Sequence, residues 1–270
     1  MNLKIRGLVN MGNTCYFNSV IQCLYHTEIF TLFCQNNNFD DEIFNSYKSL
    51  INAITKSSEG SIIMPQTFKN IINKYHKYFA NNNQHDSHEF LVNFIDYFND
   101  NLKKLDDIFY GDITSIICCQ KNHQILNKSK FSHISLPVIS NTLDNCLRHY
   151  FTVENIQDYK CEKCNDRVDI KKVFNIDRFP NILIFHFKRL LLLNKNNAGI
   201  AFPIQITLNN NTYTLYAIIN HIGGGNGGHY TSIIKINDKF FHISDEKHVE
   251  IKPSEISTNF VYMLFYKKST

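Results

Sequence analysis

Asp86-Ser-His-Glu-Phe-Leu-Val-Asn-Phe-Ile-Asp-Tyr-Phe-Asn-Asp-Asn-Leu102 carries one apolar stripe at helical spacing, whereas Ile113-Thr-Ser-Ile-Ile-Cys-Cys119 shortly after it is brief and β-branched. Phe90, Leu91, Phe94, Ile95, Phe98 and Leu102 share a face of a 3.6-residue helix. Asp86-Ser-His-Glu89 gives that helix a capping-box-like start. Upstream, Tyr16, Val20, Cys23, Leu24 and Thr27 repeat the helical period, with Asn13 or Thr14 placed to cap it. Downstream of Tyr110 the period shortens. Ile113–Cys119, Lys171–Ile176, Ile182–Phe187, Tyr213–Ile219, Tyr230–Ile236 and Lys239–Ser244 read as strands. Helices first and strands afterwards predict an α+β fold with an antiparallel sheet.

The 270 residues suffice for one large domain or two small ones, and 43% hydrophobic content excludes a disordered chain. A net charge of +4 from scattered Lys and Arg offers no nucleic-acid footprint. Ile182–Leu193, the most apolar stretch, is short and interrupted by Lys188 and Arg189, so no membrane-spanning helix is expected. The opening residues carry no apolar signal segment, so an intracellular protein is expected. There its eight cysteines would be reduced, which leaves packing, metal-binding or catalytic roles. Asparagine is over-represented at 35 residues, with tracts at Asn36–Asn38, Asn81–Asn83, Asn194–Asn197 and Asn209–Asn211 that read as turns and loops.

Cys15 begins a predicted helix, where unpaired amides and the helix dipole lower a thiol pKa. A lone cysteine is more often packing, and a nucleophile needs a base. His229 is the best candidate base, because the run Gly223–Gly228 before it lets backbone approach a substrate. A plain hairpin loop is the competing reading of that run. Asn237-Asp238 is a plausible two-residue turn, and the register it sets places His229 diagonal to Ser244. Strand parity puts Ser244 on the face of His229 and Asp245 on the other, and a one-residue bulge would exchange them. The orienting group is therefore Ser244 or Asp245, with parity favouring Ser244.

Five segments, in order, resemble the ubiquitin-specific proteases. Gly7-Leu-Val-Asn-Met-Gly-Asn-Thr-Cys-Tyr-Phe-Asn-Ser19 is similar to their Cys box. Gln84-His-Asp-Ser-His-Glu-Phe-Leu91 resembles the QQDAHEFL element, and Phe179-Pro-Asn-Ile-Leu-Ile-Phe-His-Phe-Lys-Arg-Leu190 the PxxLxxxLKRF strand. Ile219–Tyr230 with Phe240–Val249, and then Val261–Tyr266, resemble the His box and closing strand. The resemblance implies a single papain-like cysteine protease domain of α+β class. Its helical thumb would run to about residue 107, its β-ribbon fingers to about 178 and its antiparallel palm to 270.

By the same resemblance Cys15 is the nucleophile, His229 the general base and Asn10 an oxyanion donor. Gln84, Asp86, Glu89, Gly227, Gly228 and Tyr230 would contact the substrate. The implied reaction is hydrolysis after the C-terminal glycine of ubiquitin, by a monomer, with no cofactor in the chemistry and no nucleic-acid or membrane partner. Competing readings are a ubiquitin-binding pseudoenzyme and a protease for another ubiquitin-like modifier. Departures lie in Ser244 at the usual Asp/Asn position, in Gln84-His85 and in the metal site. Relatives hold a structural zinc between two Cys-x-x-Cys pairs. Here Cys161-Glu-Lys-Cys164 is intact, and Cys119 pairs with Asn122, a poor ligand, although His123 one residue on completes a Cys3His set. A ribbon without metal is the alternative, and retention of Cys161 and Cys164 favours zinc.

Overall fold

The run Ile182–Phe187 lacks polar alternation, and the computed structural model, which describes residues 3–102, 105–190, 195–224 and 227–269, shows why. This strand is covered on both faces. Leu183, Phe185 and Phe187 join Leu215, Ile218, Leu264 and Tyr266 in one core. Ile182 and Ile184 join Tyr216, Ala217, Ile219, Met263 and Phe265 in a second core shared with the helices. Each large apolar side chain so buried stabilises the fold by roughly 1.5–3 kcal/mol, so a doubly covered strand gains from every residue. Leu191–Leu193, Asn194, Gly225 and Asn226 of the stretches singled out above lie outside the described residues.

The first part of the chain is β1 (Gly7–Leu8), α1 (Cys15–Tyr25), α2 (Glu28–Asn36), α3 (Glu42–Lys56), β2 (Ile62–Ile63), α4 (Gln66–Tyr75), α5 (Ser87–Leu102) and α6 (Asp106–Phe109). There follow β3 (Gly111–Cys119), β4 (Gln124–Phe131), β5 (Ile134–Pro137), α7 (Leu143–Tyr150), β6 (Glu154–Cys161) and β7 (Asp166–Arg178). The last part is β8 (Ile182–Lys188), β9 (Gln205–Leu208), β10 (Asn211–Gly224), β11 (Gly227–Ile236), β12 (Lys239–Ser244), β13 (Lys247–Ile251) and β14 (Val261–Lys268). The large sheet runs β13-β12-β11-β10-β14-β8-β5, with β9 beside β10, and a separate ribbon runs β4-β3-β7-β6. The segment 108–178 is not one unit. β5 within it pairs parallel with β8, and α7 packs Leu143, Cys146 and Leu147 onto the large sheet.

The α5 stripe is buried at every predicted position. Phe94 meets Phe30, Tyr47, Phe68 and Phe98 at ring distances between 4.4 and 6.4 Å. α1 departs from expectation, because all eleven of its residues are buried rather than one stripe. It lies between α5 and the strands β10 and β11, which explains why its apolar period was weak. Arg189, wholly buried, ties the sheet to its connections. Its guanidinium donates to the carbonyls of Val261 (2.6 Å), Asn196 (2.8 Å), Ala198 (2.7 Å) and Thr258 (3.3 Å).

Some of the asparagines sit at left-handed turn positions. Asn237 and Asp238 have φ of 47° and 65°, a two-residue hairpin turn with both centres left-handed, and Asn209 and Asn210 repeat it at 44° and 64°. Asn tolerates this region because its short amide bonds locally.

Where α5 meets β5 and β8, three imidazoles touch. His88 stacks on His186 with centroids 3.8 Å apart and meets the edge of His133 at 4.4 Å. Burial pushes His88 and His133 down to about 4, His133 further lowered by His88 and raised by Asp96. Burial and the other two rings hold His186 well below the usual range. A histidine buried neutral leaves stability intact above its unfolded pKa of about 6.5 and loses it as pH falls towards 4. Each costs up to about 1.4 kcal/mol per pH unit in that window. We expect Tm, followed by circular dichroism, to fall between pH 6.5 and 4.5. The fall should be shallower in His133→Phe; equal slopes would remove the cluster as its source.

Candidate active site

Cys15 opens α1 almost fully buried, at 4% exposure. No side chain caps this helix. Thr14, an expected cap, instead turns its hydroxyl to accept from the Met11 amide at 2.9 Å, and Asn13 takes a left-handed φ of 55°. The first-turn amides are thus not taken by a side-chain cap, and with the Tyr230 backbone they act to lower the thiol's pKa. The expected lowering of its pKa does not follow. Burial dominates and pushes the thiol up, the Asp245 carboxylate adds to the rise, and the amides offset only part of it.

His229 lies at the start of β11, paired with Ile222. The β11–β12 ladder has the register the Asn237-Asp238 turn implies, with Ser232 opposite Ile243, and it brings His229 Nε2 to 2.8 Å from Ser244 Oγ. Asp245 does not reach His229. It takes a left-handed φ of 49° in the turn between β12 and β13, which swings its carboxylate towards the Cys15 segment. There Oδ2 accepts from Asn10 Nδ2 at 2.8 Å and Oδ1 from Asn18 Nδ2 at 2.7 Å. Asn10 is fixed on its other sides too: Oδ1 accepts from the Gly12 and Thr14 amides at 3.0 and 3.2 Å. Its own backbone amide donates to Glu246 Oε1 at 2.8 Å. This approach depends on Gly7, where an added Cβ would lie 2.1 Å from the Glu246 carbonyl oxygen.

Gln84 spans from the loop before α5 to the glycine-rich hairpin, its Oε1 accepting from the Gly228 amide at 2.9 Å. The described glycines form a ladder, Gly223 opposite Gly228 and Gly224 opposite Gly227, so here the hairpin reading of that run holds. Gly228 cannot carry a side chain, because a Cβ would sit 2.4 Å from His221 Nε2. Asp86 is the α5 cap, accepting from the His88 amide at 2.6 Å, and its other oxygen accepts from the Tyr262 hydroxyl at 2.5 Å. Glu89 bonds the Tyr78 hydroxyl, which raises that phenol. Tyr230 is buried, its ring 4.6 Å from His221 and 5.6 Å from Tyr262. Asn18, Glu246, His221 and Tyr262 are site residues that the sequence reading missed. Only the position of Asn18, three residues after Cys15 on a buried helix, signalled it.

The ribbon gathers a second group. The ligand atoms of Cys119, His123, Cys161 and Cys164 all lie within 4.8 Å of one another. Cys119 Sγ and Cys164 Sγ are 3.6 Å apart, close to the edge of about 3.8 Å that Zn–S bonds of about 2.3 Å give a tetrahedron. His123 Nδ1 is 3.0 Å from Cys164 Sγ. The odd Cys-x-x-x-His spacing closes because Asn122 turns left-handed at φ 62° and bonds back to the Cys119 carbonyl at 2.8 Å. Asn165 is also left-handed after the other pair, at φ 52°. The donor set fits a structural zinc ion. Beside it lies a small apolar core of Ile117, Cys119, Cys161 and Ile170.

The family model for ubiquitin carboxyl-terminal hydrolases matches residues 6–266. Bovine ubiquitin carboxyl-terminal hydrolase 2 is 27% identical over 97% of this chain and 55% of its own length. Arabidopsis thaliana ubiquitin carboxyl-terminal hydrolase 21 is 28% identical over 97% of this chain and 42% of its own. The chain thus spans about half the length of these curated relatives. Among solved structures, the Ubp8/Sgf11/Sus1/Sgf73 module of SAGA bound to ubiquitin aldehyde aligns with a TM-score of 0.84. It covers 98% of this chain and 70% of the matched one at 23% identity. That likeness establishes the fold as papain-like α+β. With a family model spanning nearly its whole length, the chain belongs to the ubiquitin carboxyl-terminal hydrolase family.

Proposed function

We propose that the chain is a thiol-dependent deubiquitinase that hydrolyses the peptide or isopeptide bond after the C-terminal glycine of ubiquitin. The observation that carries this reading is the His229–Ser244 bond at 2.8 Å, on the strand β11 that packs against the helix Cys15 opens. His229 Nε2 faces Ser244, which leaves Nδ1 to take the Cys15 proton. The thiolate adds to the glycine carbonyl, and the imidazolium then protonates the departing amine. Water, deprotonated by His229, displaces the thiol from the thioester and releases ubiquitin. The raised thiol pKa supports proton transfer during attack rather than a resting ion pair.

An amide nitrogen has two hydrogens. Asn10 Nδ2 gives one to Asp245, and the other, with the Cys15 backbone amide, serves the oxyanion; such fixed donors are commonly worth about 10²–10³ in kcat. Gln84, Asp86, Glu89, Gly227, Gly228 and Tyr230 are the residues we assign to the ubiquitin tail. In this reading the helical part is the thumb, the ribbon the fingers and the large sheet the palm.

Cys119, His123, Cys161 and Cys164 would hold a zinc ion that stiffens the ribbon and takes no part in the chemistry. Metal analysis of the purified protein should give one zinc per chain, lost in Cys161→Ser; metal-free wild type would exclude it.

Ubiquitin bearing a C-terminal electrophile should label wild type and not Cys15→Ala. No adduct would leave a ubiquitin-binding protein without activity, and reaction only with another modifier's probe would reassign the substrate. Ser244 and Asp245 should separate on two measurements. Ser244→Ala removes only the partner of His229 and should lower kcat with Tm near wild type. Asp245→Ala strands two amides and should lower both; equal Tm losses would contradict this division.

A further inference from the structure

Asn18 is an asparagine in the interior of a buried helix, where it neither favours the helix nor meets solvent. It is 2% exposed and lies one turn after Cys15. Its Nδ2 faces three acceptors: Asp245 Oδ1 at 2.7 Å, the Val9 carbonyl at 3.2 Å and the Leu8 carbonyl at 3.4 Å. All three neighbours are acceptors, so the amide orientation is fixed by chemistry, and its Oδ1 is left buried without a partner. Helix stability alone does not call for such a residue. One turn on, Gln22 is equally buried and donates to the Arg6 carbonyl at 2.7 Å. It holds the same strand segment but does not touch Asp245.

We propose that Asn18 is a positioning residue for the Cys15–His229 chemistry, acting through the Asp245 carboxylate it fixes. The inference rests on the proposed hydrolytic reading. Asp245 sits between Asn10, which faces the oxyanion position, and the turn that follows Ser244, which orients His229. Its two oxygens are divided, one to each asparagine. With Asn18 removed the carboxylate keeps one side-chain partner and can rotate, so Asn10 and the turn lose their common reference.

Gln22 supplies a control within the same helix. Asn18→Leu deletes the amide contacts to the Leu8 and Val9 carbonyls and the bond to Asp245, Gln22→Leu deletes the bond to the Arg6 carbonyl, and both should lower Tm. On a coumarin amide of the ubiquitin C-terminus, Asn18→Leu should lower kcat by about 10²-fold, the loss of an oxyanion donor, with KM little changed. Gln22→Leu should keep kcat near wild type. A second readout needs no substrate: the pH midpoint of Cys15 alkylation by iodoacetamide, followed on its own peptide by mass spectrometry. The Asp245 charge acts on this thiol, and with less of it drained by hydrogen bonds the midpoint should move up in Asn18→Leu and stay in Gln22→Leu. Turnover losses that track Tm equally in both variants, with unmoved midpoints, would overturn the proposal. If wild type fails to cleave the coumarin amide, the hydrolytic reading falls and the alkylation comparison still decides the role of Asn18. Should Asn18→Leu not fold, Asn18→Ser, whose hydroxyl stops short of Asp245, carries the same comparison.

Discussion

The Asp245 carboxylate bonds two amides of the Cys15 segment, one from Asn10 before the helix and one from Asn18 inside it. The thiol and the imidazole arrive from opposite ends of the chain, and each is built into a rigid element: a helix buried on every side, and a strand inside a covered sheet. Rigid elements need one shared point to hold a fixed separation. Asp245 supplies it from a left-handed turn, backed by its carbonyl accepting from the Leu8 amide at 2.9 Å. Gly7, Glu246 and the short β1 strand all serve that approach.

This use of the acid changes the electrostatics around the base. The group against His229 Nε2 is a neutral hydroxyl, which can aim the ring but adds no negative charge to stabilise an imidazolium. The anion stands instead beside the asparagine that would meet the oxyanion, where it polarises the amide it accepts from and also disfavours the thiolate. In the proposed mechanism the negative charge thus stands beside the oxyanion donor rather than beside the proton acceptor. The resting thiol is thereby biased towards its neutral form, and in the proposed reaction the drive for proton transfer comes from the carbonyl under attack.

The legible parts of the sequence were those where one local pattern suffices. The α5 stripe and the Asn237-Asp238 turn could be read directly, and the turn carried the pairing of His229 with Ser244 because strand parity extends over many residues. Helices α2, α3 and α4 and strands β4, β6, β9 and β13 were not drawn, since their burial depends on partners far away in the chain. α1 was read as amphipathic although it is buried on all sides. The pKa of Cys15 was misjudged for a related reason: a dipole can be read from a helix start, and desolvation cannot. Asn18, Glu246 and Tyr262 escaped because a polar residue in an apolar run shows its purpose only when its acceptor is known. His123, one residue off the position the family resemblance implies, could be named from the sequence, but its approach to the three cysteines rests on the backbone of Asn122.

The left-handed asparagines have a consequence for the unfolded chain. With only ten glycines in 270 residues, the hairpins at Asn209-Asn210 and Asn237-Asp238 and the turns at Asn122 and Asn165 use residues that carry a side chain. Glycine would fit these φ values without strain but enters the denatured ensemble with far more freedom to lose. Asparagine accepts a little strain in the native turn and begins from a narrower ensemble, so part of the turn's stability is set before folding starts. A compositional drift towards asparagine therefore finds places in this fold where it is close to neutral, and the register that aims His229 passes through one of them.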